Sequence, residues 1–208
     1  MTETVYGNNA ILELIENSEN KVKNILIERN FKSDKIKRIL SICVQKNIKY
    51  ELVHSLNSYK ASGKGAVAFT SDYEYFDLKS SDIEAMNSIV ILDGIEDPHN
   101  LGAIVRSTAA SGFDLVIIPE KRSALVTGSV INVSAGTVYK IRISKVKNIV
   151  SCIKDLKKQG FWITGTDMDG RPLFTGYDFT QKAAVVIGSE GKGLRRLVRE
   201  NCDDIISI

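Results

Sequence analysis

The sequence predicts an α/β protein in two parts, a small N-terminal α/β domain and a larger domain built on a mostly parallel sheet. Three observations predict this. Over residues 1–75 helical and extended patterns alternate at short spacing. From Ser88 the units lengthen into βα pairs, opening on the unbroken apolar run Ser88-Ile-Val-Ile-Leu-Asp93, as expected of a parallel strand buried on both faces. Between the two, residues 72–87 are polar and acidic, with Tyr73, Tyr75 and Phe76 as the main aromatic content. A linker is expected there, over residues 76–87, either letting the small domain reorient or packing as an ordered arm. The 208 residues suffice for domains over 1–75 and 88–208.

In the first part, Asn8 or Asn9 can cap an amphipathic helix through Ala10, Ile11, Leu12, Leu14 and Ile15. Residues 21–28 alternate as a strand. Ser33 or Asp34 opens a basic helix with Ile36, Ile39, Leu40 and Cys43 on its apolar face. Residues 48–53 and 65–70 supply two more strands. In the second part, the run 88–93 leads to a helix over 100–112 with Asn100 as its cap, then a strand over 115–118. Residues 127–135 are expected to be helical and 138–143 extended. Residues 146–159 form an amphipathic helix stopped by Gly160. Strands over 161–164, 183–187 and 205–208 complete the set.

Composition narrows the function classes. Hydrophobic residues make up 43% and charged residues 25%, ordinary for a globular chain. No apolar run approaches the ~18 residues of a membrane span. The start, Met1-Thr2-Glu3-Thr4, lacks the basic-then-apolar order of a secretory signal, so a cytoplasmic protein is expected. Cys43, Cys152 and Cys202 lie far apart with no Cys-x-x-Cys, and the histidines are His54 and His99. That pattern argues against a disulfide framework or zinc site, and no metal is expected. Net charge is only +3, but its distribution is uneven. Lys21, Lys23, Arg29, Lys32, Lys35, Lys37, Arg38, Lys46 and Lys49 stand against Glu28 and Asp34. Such a bias attracts a polyanion, and it equally describes a solvated helix face.

Two segments carry the candidate chemistry. In Leu92-Asp-Gly-Ile-Glu-Asp-Pro-His-Asn-Leu-Gly-Ala-Ile-Val-Arg106, a buried strand ends in an acidic, proline-containing turn before a helix. Arg106 falls two turns in, among Ala103, Ile104, Val105, Ala109 and Ala110, where an arginine needs an anionic partner or an opening to solvent. The second segment, Val185-Val-Ile-Gly-Ser-Glu-Gly-Lys-Gly-Leu194, follows another buried strand. It matches neither the P-loop nor the dinucleotide fingerprint. By itself it is either a plain turn or a loop whose backbone lets a ligand approach closely. Lys192, Arg195, Arg196 and Arg199 follow on an expected helix with a second basic face.

Together the two segments closely resemble the signature motifs of the SpoU/TrmH family, within the SPOUT class of RNA methyltransferases. Asn100-x-Gly102-x-x-x-Arg106 is similar to the family's first motif, and Gly188-x-Glu190-x-x-Gly193 to its second. Tyr6-Gly7-x-x-Ala10 and Ser134-Ala-Gly136 resemble the subgroup that methylates guanosine in large-subunit ribosomal RNA. Where that subgroup has His-Gln-Gly this chain has Ser62-Gly63-Lys64-Gly65, and where it often has a glutamate Tyr139 stands. The resemblance implies a small RNA-binding domain ahead of a SPOUT-type parallel-sheet domain with a trefoil knot. It also implies S-adenosylmethionine as cofactor, RNA as substrate and a homodimer. Family members continue with a Pro-Met turn, a Ser-Leu-Asn-Val-Ser motif and a final helix. The sequence ends at Ile208, so a domain lacking that motif, with an incomplete knot, is expected.

The implied reaction is in-line attack of a ribose 2′-hydroxyl on the cofactor's methyl group, catalysed mainly by positioning. By resemblance the cofactor sits against Thr164-Gly165, Ile187-Gly188 and Ile208. Arg106 is the implied catalytic residue, with Asn100 and Glu190 organising the site, though Glu190 could instead only bond loop amides. A guanidinium with a pKa above ~12 makes a poor general base. Arg106 is better suited to holding the target phosphate and stabilising developing alkoxide charge. The competing readings are a non-catalytic RNA-binding relic, a nucleotide-binding α/β enzyme, and a transfer-RNA or antibiotic-resistance methyltransferase.

Overall fold

The computed structural model describes residues 2–59, 61, 63–79, 81–178 and 182–207, without the side chains of residues 81 and 82. In chain order the elements are β1 (Glu3–Tyr6), α1 (Asn8–Asn17), β2 (Val22–Glu28), α2 (Asp34–Gln45), β3 (Tyr50–Val53) and β4 (Ala66–Thr70). There follow β5 (Ser88–Asp93), α3 (Pro98–Ala110), β6 (Leu115–Pro119), α4 (Gly128–Val133), β7 (Arg142–Val146) and α5 (Ile149–Lys158). The last elements are β8 (Trp162–Thr166), β9 (Ala183–Gly188), α6 (Arg196–Arg199) and β10 (Asp204–Ile206). They form two compact units, residues 1–74 with 102–106 and 126–140, and residues 75–101 with 107–125 and 141–208. Among the described residues no helix is long and apolar enough to cross a membrane.

The first unit holds a four-stranded sheet in the order β1-β4-β2-β3, antiparallel except for the β2–β3 pair. Ile25, Leu26 and Ile27 of central β2 are all buried, so the strand is covered on both faces. Leu26 and Val67 pack with Leu56 and Ala61, while α1 lies over β1 and β4 and against α2. The cap of α1 differs from expectation. It is Gly7, with φ 97° and no side-chain bond, and Asn8 is already helical. The left-handed turn out of β1 suits glycine, which moves the cap one residue upstream. Helix α4 is clasped to β1: Gly128 N donates to Glu3 Oε2 (2.6 Å) and Tyr6 N to Asn132 Oδ1 (2.8 Å). The stretch 138–143, expected to be extended, is instead a 3-10 turn over Thr137–Tyr139, with β7 starting at Arg142. Ala135 (φ 54°) and Gly136 (φ 87°) turn the chain left-handed there and delay the strand.

The second unit holds six parallel strands in the order β10-β8-β9-β5-β6-β7. Its core includes Ile89, Ile91, Leu115, Ile117, Ile153 and Val186. The expected linker packs onto this core: Phe76 N donates to Ile143 O (2.8 Å), and Ile83 and Met86 are buried. Asp114 secures the start of β5. Burial alone would raise its pKa, but bonds from Asn87 N, Ser88 N and Ser88 Oγ outweigh that and hold it low.

Two features of this sheet frame the site. The chain leaves β5 towards β6 and leaves β9 towards β10, in opposite directions, so a topological switch point lies between β5 and β9. Asp93 and Gly188, the last residues of those strands, are paired in register there. At the other edge, β10 lies between β8 and the segment 171–174. Arg171 N donates to Ile205 O (3.0 Å), Ser207 N to Pro172 O (3.2 Å) and Phe174 N to Ser207 O (3.0 Å). The segment 171–174 thus lies along the outer side of β10.

Candidate active site

The two motifs meet at the switch point. Helix α3 begins one turn beyond β5, and its cap is Asp97 rather than Asn100, accepting from His99 N and from Asn100 N (3.1 Å). Pro98, with its fixed φ and no N–H, occupies the first helical position, which moves the helix start upstream of Asn100. Asn100 is thereby released from capping. Its Nδ2 donates to Glu190 Oε2 at 3.5 Å, a long bond between exposed side chains. These two motif residues, 90 positions apart, are brought together.

The glycine loop after β9 folds back on itself. Ser189 and Gly193 exchange backbone bonds (3.1 and 2.9 Å), with Gly191 and Gly193 at φ 80° and 61°. A Cβ on Gly188 would lie 2.3 Å from Gly193 C and 2.4 Å from its O, so only glycine lets the loop close. Its far end is anchored by Asp93, whose carboxylate is fully buried. Arg195 N donates to Asp93 Oδ2 (2.8 Å) and Arg195 Nε to Oδ1 (2.6 Å). Sequence reasoning missed this tie, because a carboxylate ending an apolar strand gives no hint of a partner 102 residues on.

The closed loop is a partition between two clefts. On one side a cleft of about 310 Å³ is lined by Thr166, Asp167, Met168, Gly188, Ser189, Gly191, Lys192 and Gly193. On the other, one of about 630 Å³ is lined by Asp93, Glu96, Asp97, Asn100, Arg122, Glu190, Arg195 and Arg196, and shares Ser189, Lys192 and Gly193. Of the residues expected to hold cofactor, Gly188 lines the smaller cleft. Thr164 is buried, its hydroxyl bonded to Tyr177 Oη (3.0 Å), which donates in turn to Asp204 Oδ2 (2.8 Å). Burial is the main cause raising the Tyr177 pKa. Gly165 packs against Ile205, Leu194 and Cys202, and Ile187 pairs with Leu92 within the sheet. Ile208 lies outside the described residues. Thr166, Asp167 and Met168 were not singled out from the sequence, although an acidic turn leaving the C-terminal end of a parallel strand is a usable signal.

Arg106 takes the second of the settings expected for it, an opening to solvent. It is exposed, on the side of α3 away from buried Leu101, Val105 and Thr108. It lines a depression of about 490 Å³ within the first unit, beside Lys35, Arg38, Glu13, Glu16 and Asp34. It stands six residues from Asn100 on one helix, ~120° away around the axis by helix geometry. The basic helix expected over 192–199 is also shorter: α6 spans only Arg196–Arg199, and Lys192 and Arg195 belong to the loop.

Comparison with known proteins fits this architecture. The sequence model of the SpoU rRNA methylase family matches residues 87–208, and that for RNA 2′-O ribose methyltransferase substrate binding matches residues 4–76. A Staphylococcus saprophyticus protein named as a TrmH family tRNA/rRNA methyltransferase is 36% identical over 215 residues, covering 98% of this chain and 85% of its own. A Staphylococcus aureus protein of the same description is 36% identical over 220 residues, covering 100% and 87%. Among solved structures, the SpoU methyltransferase AviRb from Streptomyces viridochromogenes, in complex with AdoMet, matches with a TM-score of 0.81 at 22% identity. That match covers 100% of this chain and 80% of that one. An rRNA methyltransferase from Sinorhizobium meliloti matches with a TM-score of 0.79 at 18% identity, covering 100% and 78%. The solved structures share the fold; the family models and the closer relatives identify the lineage. The chain belongs to the SpoU/TrmH family of RNA methyltransferases, enzymes whose methyl donor is S-adenosylmethionine.

Proposed function

We propose that this chain methylates a ribose 2′-hydroxyl of RNA, with a guanosine of large-subunit ribosomal RNA as its target. The observation that carries the reading is the glycine-loop partition, with a cleft on either side and Asn100 touching Glu190 at its edge. In-line transfer needs the two substrates side by side, and the two clefts adjoin, sharing Ser189, Lys192 and Gly193. The smaller cleft fits S-adenosylmethionine by its own chemistry. Asp167, whose Oδ2 pairs with Arg199 Nε at 3.4 Å, keeps its other carboxylate oxygen for a cationic ligand, and the side-chain-free backbone of Gly191 and Gly193 permits close approach. When bound, the cofactor supplies an activated methyl group. In the larger cleft Arg195 is held by Asp93 and Arg196 by Glu200, so Arg122 and Lys192 are the cations set to meet RNA phosphates, while Asn100 and Glu190 orient the nucleotide. Arg106 holds a phosphate and stabilises alkoxide charge. Action in the cytoplasm as a homodimer belongs to the same proposal.

The test is a map of 2′-O-methyl sites in ribosomal and transfer RNA from cells with and without the protein. A single guanosine in large-subunit rRNA should depend on it. A dependent site in tRNA alone, or methylation on a base, would overturn the proposal.

A further inference from the structure

The turn that leaves β8 carries a negative charge into the smaller cleft, and both its backbone and its side chain are tied down. Asp167 N donates to Ile206 O (3.0 Å) of β10, and Asp167 O accepts from Gly170 N (3.2 Å). A Cβ on Gly170 would lie 2.2 Å from Ile206 C, so the turn is pressed flat against β10. Arg199, the last residue of α6, brings Nε to 3.4 Å from Asp167 Oδ2. The carboxylate faces Gly193 of the glycine loop, where an added Cβ would stand 3.7 Å from Oδ2 and 3.8 Å from Oδ1.

One oxygen of this carboxylate is left over. Oδ1 has no bonded partner among the described residues, and it is not closed off from solvent. The side chain as a whole is 21% exposed, where it borders the cleft. Of the described residues lining that cleft, Asp167 is the acid and Lys192 the base. Lys192 is exposed on the glycine loop and can meet a ligand carboxylate. Asp167 is the group that can answer a ligand cation.

S-adenosylmethionine and S-adenosylhomocysteine, the product of methyl transfer, share an adenosine, an ammonium and a carboxylate. They differ in one methyl group and in the sulfonium charge, which the product lacks. Specificity is a difference of affinities, so groups that bind the shared parts cannot separate the two. A fixed carboxylate can, because its attraction to the sulfonium has no counterpart in the product. We propose that Asp167, held by Arg199, makes this cleft favour the cationic donor over the spent product. Asp167 is the specificity residue. Arg199 is a positioning residue: by engaging Oδ2 it fixes the carboxylate and leaves Oδ1 for the ligand. The inference rests on the S-adenosylmethionine reading of the cleft and deepens it, for product release becomes a matter of lost charge.

Calorimetric titration of the full chain with each ligand gives two dissociation constants, and the product-to-donor ratio is the readout. Asp167→Asn keeps the shape of the side chain and removes its charge. It should weaken donor binding by about 5-fold or more, the share of one charge pair in a partly exposed site, and leave product binding within about 2-fold. Asp167→Glu should keep most of the parent ratio. Arg199→Ala should lower the ratio part of the way towards that of Asp167→Asn, and Arg199→Lys should restore it. Asp169, the next acid on the turn, is exposed and is not among the described lining residues, so Asp169→Asn serves as the charge control. It should change the ratio by less than about 2-fold, because solvent screens an exposed charge. The proposal is overturned if Asp167→Asn weakens donor and product alike, or leaves the ratio unchanged. It is also overturned if Arg199→Ala leaves the ratio unchanged or raises it, or if Asp169→Asn matches Asp167→Asn. A parent protein that binds neither ligand refutes the S-adenosylmethionine reading and the proposal with it. That result is distinct from a parent that binds both and a ratio that does not move.

Discussion

Replacing Asp93 should loosen the glycine loop more than any change to the arginine it holds. The Asp93 side chain is 0% exposed and accepts two bonds from one residue, Arg195 N and Arg195 Nε. Each bond to a charged acceptor is worth about 1.5–3 kcal/mol when buried. The Arg195 side chain is 53% exposed, so its half of the pair is screened and discounted to about 1 kcal/mol or less. Asp93→Ala should therefore cost about 3 kcal/mol, most of it from the stranded Arg195 N–H. Asp93→Asn keeps one acceptor for that N–H and should cost about 1–2 kcal/mol. Arg195→Ala leaves the backbone anchor intact and should cost about 1 kcal/mol. Urea titration gives these values from midpoint shifts at constant slope. Calorimetric titration with S-adenosylmethionine should show weaker binding in the same order, because the anchored loop lines the cofactor cleft. An Arg195→Ala variant as unstable as Asp93→Ala would refute the reasoning, placing the weight on the guanidinium rather than the backbone bond.

Gly188→Ala should abolish S-adenosylmethionine binding in the same titration, since its Cβ would sit 2.3 Å from Gly193 C and force the loop open; binding within 3-fold of the parent would contradict that overlap. Arg106 is exposed, so Arg106→Ala should shift stability by no more than about 0.5 kcal/mol while methyl transfer falls at least 100-fold, and Arg106→Lys should recover part of the rate if charge stabilisation suffices. Burial pushes Cys152 from 9.0 up to about 12 and Cys202 up to about 11. Their neutral thiols therefore favour the fold fully below pH 9, and that contribution is lost as pH rises from 9 through 11 to 12. Melting temperatures between pH 8 and 11 should drop above pH 9, and less steeply in Cys152→Ala.

Where burial is symmetric, the sequence shows the element directly. Ser88–Asp93 is predicted and found residue for residue, because a strand covered on both faces needs an unbroken apolar run. Elements set by backbone turns are less legible. Gly7 and Pro98 each moved a helix start, since a left-handed or proline-fixed residue outranks a nearby asparagine as boundary. The expected strand over 138–143 was delayed by left-handed Ala135 and Gly136, and only glycine among the two advertises that geometry in sequence. The motif residues Asn100 and Glu190 could be singled out but not joined, for their contact depends on β5 and β9 being neighbours in the sheet. Arg106 stands among apolar neighbours in sequence, where it needs an anionic partner or an opening to solvent, and the structure gives it the opening. Small residues such as Ala103 and Ala110 are exposed on that helix as well, so its apolar composition did not mean burial. The cleft wall at Asp167 and Met168 follows directly on β8, so its acidic turn is a local signal, but only the sheet order places that turn beside the glycine loop.

The segment 171–174 has a consequence for how the chain acquires and loses its form. It bonds along the outer side of β10, so that strand has a neighbour on each side, β8 on one and this segment on the other. A ribosome delivers β10 after both of them. Productive folding therefore waits on an ordering event late in synthesis, and premature pairing of 171–174 in the place of β10 is a natural trap. The same placement resists the reverse journey. A protease that grips the chain beyond β10 and pulls must break the bonds on both of its sides at once, whereas one that starts from β1 meets a strand paired on one side only.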